Sequence, residues 1–143
     1  MKASVEWKDG MAFEAHLDGF NFFIDADAGV GGQNKGPKPK GLTLVSLAGC
    51  TSMDVISILQ KMRVADKIEN FEVATDGVID SEHPKKFLEI VIKYIFKGDL
   101  MEKVDKIKHA IELSMENYCG VSATLRPSVK LSHQLIINDK IIE

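Results

Sequence analysis

Arginine is nearly absent from this chain: among 143 residues only Arg63 and Arg126 occur, so cation chemistry otherwise rests on lysine. The net charge is −3 and no lysine–arginine cluster stands out, which excludes the electrostatic footprint of a nucleic-acid partner. The N-terminal MKASVEWKDG lacks the apolar core of an export signal and reads as a strand, which implies a cytoplasmic protein. In that compartment the two cysteines, Cys50 and Cys119, stay reduced unless they serve redox or metal chemistry. The four histidines, His16, His83, His109 and His133, form no close ligand spacing with each other or with the cysteines. No metal is therefore expected. Residues 26–40 hold four glycines but no Gly-Lys-Ser/Thr ending, so no phosphate-binding loop and no nucleotide cofactor is expected either. The one long apolar run, Leu42 to Leu59, is interrupted by Thr43, Ser46, Thr51, Ser52, Asp54 and Ser57. An aspartate in mid-span is expensive in lipid, so the run reads as a buried helix rather than a membrane anchor.

What is present suits a single domain over residues 1–143, 45% hydrophobic and able to build a core. Asp9-Gly10 and Asp18-Gly19 each sit between alternating runs (Ala3, Val5, Trp7; Met11, Phe13, Ala15, Leu17; Phe20, Phe22, Ile24). Asp-Gly between alternating segments is a hairpin signal, and a three-stranded meander is predicted. A long glycine- and proline-rich loop follows, with Lys35, Lys38 and Lys40 at its end. A helix of about 21 residues is expected from Leu42 to Met62, then strands at 68–80 and 86–97, the second with Leu88, Ile90, Ile92, Tyr94 and Phe96 on one face. Asp99 to Glu102 resembles a capping arrangement for a second helix, which Gly120 would end just after Cys119. A last strand is expected near 128–137. The order βββ–α–ββ–α–β indicates an α+β fold.

On a helical wheel, Thr43, Ser46, Cys50, Asp54, Ser57 and Lys61 form one narrow polar stripe, with Cys50 in its middle. Nearly all the remaining girth is apolar, so the helix must be buried on several sides. One small sheet covers only one side; a homodimer is the expected solution. Two readings of Cys50 stay open. It is a reactive thiol, or a small buried hydrophobe that lets helices approach. Cys119, at an expected helix C-terminus, meets partial negative charge that disfavours its thiolate. A nucleophilic Cys50 needs a cation to offset Asp54 one turn away, and the loop lysines are the candidates.

Gly36-Pro37-Lys38-Pro39, then Leu47-Ala48-Gly49-Cys50-Thr51, Met53-Asp54-Val55 and Ile58-Leu59-Gln60-Lys61-Met62, resemble the OsmC/Ohr family, in particular its YhfA-type branch. Tyr118-Cys119-Gly120-Val121-Ser122 resembles the family's Cys-Pro-Val-Ser segment, with glycine in place of proline. The resemblance covers essentially the whole chain. It implies an intertwined homodimer with two long helices at its centre and a thiol-dependent reduction of organic hydroperoxides. In that scheme Cys50 attacks, Cys119 resolves, and an external dithiol regenerates the pair. Peroxidase members also carry an arginine from the N-terminal part and a glutamate nine or ten residues before the first cysteine. Here those upstream positions are Lys40 and Gly41, and no arginine precedes Arg63. Loss of that pair leaves an alternative, a stress-associated or small hydrophobic ligand-binding protein on the same fold.

Overall fold

The computed structural model describes all residues 1–143, and the chain divides into two compact units, Met1–Thr43 and Leu44–Glu143. In the first unit β1 (Ala3–Asp9), β2 (Ala12–Leu17) and β3 (Phe20–Ile24) form an antiparallel sheet in that order. The hairpins fall where Asp-Gly stands. Gly10 takes φ +54°, and Asp18 and Gly19 take +52° and +82°, backbone that glycine and aspartate tolerate. The register sets Val5 opposite Ala15 and Ala15 opposite Phe22, with Trp7 opposite Phe13 and Phe13 opposite Ile24. Since alternate residues share a face, one side of the meander is a continuous apolar surface. Val5, Trp7, Phe20 and Phe22 remain exposed on it.

The loop after β3 is not slack. Asp25, only 3% exposed, accepts hydrogen bonds from the N–H groups of Ala26, Gln33 and Lys35 at 2.8, 3.0 and 3.1 Å. The Gln33 and Lys35 donors hold its carboxyl below the usual aspartate range, outweighing the opposing effect of burial. Lys35 pairs with Asp9 at 3.6 Å and Lys38 with Asp27 at 2.7 Å.

The long helix, α1, runs Pro39–Lys61, three residues further at its start than the sequence suggested. Proline suits a first helical turn, whose N–H groups have no intrahelical partner. In the second unit β4 (Ile68–Ile79), β5 (Phe87–Gly98), β6 (Lys130–Ile137) and β7 (Lys140–Ile142) form a sheet in that order. β5 and β6 are parallel; the crossover between them carries α2 (Val104–Leu113) and α3 (Gly120–Leu125). The core gathers Leu47, Val55 and Leu59 of α1, Ile90, Ile92, Tyr94 and Phe96 of β5, Ile107 and Ile111 of α2, and Ile137 of β6. Each such aliphatic side chain contributes roughly 1.5–3 kcal/mol on burial.

Three expectations need correction, and one strand is added. Leu88 does not share the inward face of β5: it is 43% exposed, because the register slips between Val78 and Ile79 and turns Phe87 inward instead. The capping arrangement at Asp99–Glu102 does not form; a 3₁₀ turn, Met101–Lys103, leads into α2 with no side-chain cap on Leu100. The second helix does not run to Cys119 either. It ends at Leu113, widens into a π turn over Ser114–Tyr118, and breaks at Cys119 before α3 begins. Finally, β7 was not expected; it pairs back on β6 through Asn138 and Asp139, both at positive φ.

Candidate functional site

α1 presents Leu47, Thr51, Val55 and Leu59, four residues apart, as its fully buried line. The polar stripe runs beside that line, so Cys50 and Asp54 lie at the border between core and surface, each partly exposed. From the crossover comes Cys119, 2% exposed. The two sulfurs and a carboxylate oxygen of Asp54 all lie within 4.8 Å of one another. Both cysteines are free thiols. The two cysteines singled out in the sequence thus meet, although 69 positions separate 50 from 119. No histidine joins them; Asp54 is the third member.

The break at Cys119 fixes its sulfur. With φ −71° and ψ 100° the residue leaves the helical region, its N–H donates to the Ser114 carbonyl at 2.8 Å, and its Sγ accepts from the Ser122 N–H at 3.4 Å. Cys119 therefore precedes a helix start rather than occupying the helix end expected from the sequence, and the expected cause of its weak acidity is replaced. Burial pushes the thiol above its ordinary value, the Ser122 N–H opposes this, and the neighbouring Cys50 adds to the rise. Ser122, itself buried, turns its hydroxyl back to the Cys119 carbonyl at 2.9 Å.

From Asp54 runs a buried chain of hydroxyls that the sequence did not reveal. Ser114 Oγ donates to Asp54 Oδ2 at 3.0 Å. Its single proton is thereby committed, so it accepts from Thr51 Oγ1 at 2.8 Å, and Thr51 accepts from the Tyr94 hydroxyl at 2.6 Å. Thr51, Ser114 and Tyr94 are all fully buried, and no buried side-chain nitrogen or oxygen lacks a partner. Desolvation pushes the Tyr94 phenol up to about 12, against the opposing effect of the Thr51 hydrogen bond. The π turn lets this happen: it carries both Ser114, aimed at α1, and the carbonyl that receives Cys119. π turns of this kind recur at functional sites.

Asp54 also lines an open cleft of about 430 Å³, together with Ser57, Ile58, Lys61, Met62, Leu113 and Tyr118. The polar stripe read from the wheel supplies Asp54, Ser57 and Lys61 to it.

A family model for the OsmC-like protein matches residues 32–134, which include α1, both cysteines and most of the four-stranded sheet. The chain belongs to the OsmC-like family. Protein YhfA of Escherichia coli K12 is 32% identical to it over 135 residues, covering 93% of this chain and 95% of that one. Among solved structures, a protein from Aquifex aeolicus VF5 superposes with a TM-score of 0.78 at 29% identity, covering 96% of each chain. An organic hydroperoxide resistance protein from Elizabethkingia anophelis, at 16% identity, shares the fold with a TM-score of 0.71 over 95% of this chain and 94% of that one. The α+β architecture is thus that of the OsmC/Ohr proteins. Helix α1 is long and apolar enough to cross a membrane, yet in this OsmC-like fold its Leu47–Leu59 line is taken up by the core.

Proposed function

We propose that the protein reduces organic hydroperoxides in the cytoplasm, with Cys50 as the attacking thiol and Cys119 as the resolving one. The observation that carries this reading is the approach of the two sulfurs to within 4.8 Å. The Cys50 thiolate attacks the distal oxygen of the O–O bond and becomes a sulfenic acid, while the alkoxide leaves and takes up a proton as the alcohol. Cys119 then attacks the sulfenic sulfur, expelling water and forming a disulfide. An external dithiol returns two electrons and two protons to restore the thiols. Closing the gap to the roughly 2.05 Å of a disulfide asks for side-chain rotation and a modest shift at the π turn. Cys50, the more accessible of the pair, suits the first step; buried Cys119 suits the second.

The working unit is proposed to be a homodimer. Support comes from the exposed apolar face of the meander, with Trp7 65% and Phe20 76% exposed, and from Val45 and Met53 on α1, 66% and 71% exposed. Exposed apolar side chains gathered on a sheet face mark interfaces of this kind.

Purified protein supplied with a dithiol is expected to consume cumene hydroperoxide or tert-butyl hydroperoxide, and Cys50→Ser to abolish that consumption. Equal rates for wild type and variant would remove the catalytic reading. In that event, the cleft bordered by Ile58, Met62, Leu113 and Tyr118 favours the second reading, a binder of small hydrophobic ligands.

A further inference from the structure

The Cys50–Cys119–Asp54 cluster has an electrostatic peculiarity. It brings together two thiols and a carboxylate, side chains that ligate metal ions as anions. Arg126 is engaged by Glu116 and the Met115 carbonyl. A divalent cation bound among the three donors would offset their negative charge.

We propose that the reduced protein holds a zinc-class divalent cation on Cys50 Sγ, Cys119 Sγ and one oxygen of Asp54. The donor set is right for such an ion: thiolates select soft or borderline metals, and a carboxylate completes a mixed site. The geometry is near what ligation needs. Tetrahedral ligands at about 2.3 Å for sulfur and about 2.0–2.2 Å for oxygen lie roughly 3.5–3.8 Å apart. The three donor atoms lie within 4.8 Å of one another, so rotamer adjustment of about an ångström closes the site.

Two further features have the form of metal-site support. Ser114 Oγ donates to Asp54 Oδ2 and so orients the carboxylate, and Ser114 is itself braced by Thr51 and Tyr94. The Ser122 N–H points at Cys119 Sγ. Hydrogen-bonded carboxylates and N–H donors to sulfur are what hold ligating groups in place. The open cleft that Asp54 lines brings solvent to the carboxylate side of the cluster. On binding, both thiols release their protons to solvent, and nothing is oxidised or reduced.

The site shares residues with the peroxide reaction but does not depend on it. The two states exclude each other, because a Cys50–Cys119 disulfide has no thiolates to offer. The test uses no peroxide turnover. Whole protein, reduced with a phosphine and freed of metal, is titrated with cobalt(II), and thiolate-to-cobalt charge-transfer absorption is followed. We expect one ion per chain, displaced by zinc, with the bands lost in Cys50→Ser and after oxidation to the disulfide. Asp54→Asn is expected to weaken binding at least about tenfold, and Ser114→Ala about tenfold to a hundredfold. Cys50 and Asp54 are only partly buried, so these two variants carry the test even should a Cys119 variant not fold. Absence of the bands in the reduced protein overturns the proposal, as does binding that is equal in wild type, Cys50→Ser and Asp54→Asn.

Discussion

Thr51 is the residue on which the site is seated. Its hydroxyl serves Tyr94 and Ser114 at once, and it is the one polar residue in the buried line of α1. Thr51→Val keeps the shape and removes the hydroxyl, leaving two buried polar groups short of a partner. Urea denaturation is expected to show a loss of about 1–3 kcal/mol. This residue was not legible in advance because α1 contains several small hydroxyl side chains, and the wheel ranked Thr51 with none of its neighbours on the polar stripe. Tyr94 was likewise counted with its apolar neighbours on β5, since nothing in alternation distinguishes a phenol that has a partner from one that merely fills space. Asp25 makes a second residue-level case. Its carboxyl is held below its ordinary value of 3.8 by backbone N–H donors in the folded chain. Its stabilising effect is therefore complete above that ordinary value and is lost as pH falls through it toward the lower folded value. Thermal melts across pH are expected to show Asp25→Asn less stable than wild type near neutrality, with the gap narrowing in acid.

At the scale of elements, the hairpins of the meander and the length of α1 were legible because both rest on local signals: paired Asp-Gly turns and an unbroken helical stripe. The crossover was not. Gly120 reads as a helix terminator, yet what ends α2 is the widening at Ser114, and Gly120 opens α3 instead. That distinction depends on Ser114 reaching α1 and Asp54, sixty positions earlier, and no local pattern records it. Gly98, at the end of β5, is another element-level determinant. It takes φ +139°, and an added Cβ would stand 2.1 Å from the Lys67 carbonyl oxygen where β4 begins. Asn138 then clasps its N–H and carbonyl from the β6–β7 turn, at 3.1 and 2.9 Å. Gly98→Ala is expected to lower stability by on the order of 3 kcal/mol, measured by chemical denaturation, because strain and a backbone collision add.

For the whole molecule, the exposed apolar face of the meander and the exposed apolar side chains of α1 each pose a question of cover. For α1 the sequence already raised it, since a helix apolar around most of its girth cannot be satisfied by one sheet. Light scattering at micromolar concentration is expected to give twice the chain mass of 15.8 kDa, and Trp7→Glu combined with Phe20→Glu to return the chain mass. A protein of unchanged mass after both substitutions would remove the meander face from the interface. Between the meander and α1 runs the stretch that looks, letter by letter, most like idle connection. Segments of that composition are ordinarily where insertions pass unnoticed and proteases make their first cut. Here three amide hydrogens, drawn from positions 26, 33 and 35, converge on a single sequestered carboxylate. Lengthening the stretch by even one residue would pull an amide off its mooring, so its spacing is as little open to editing as a turn of helix.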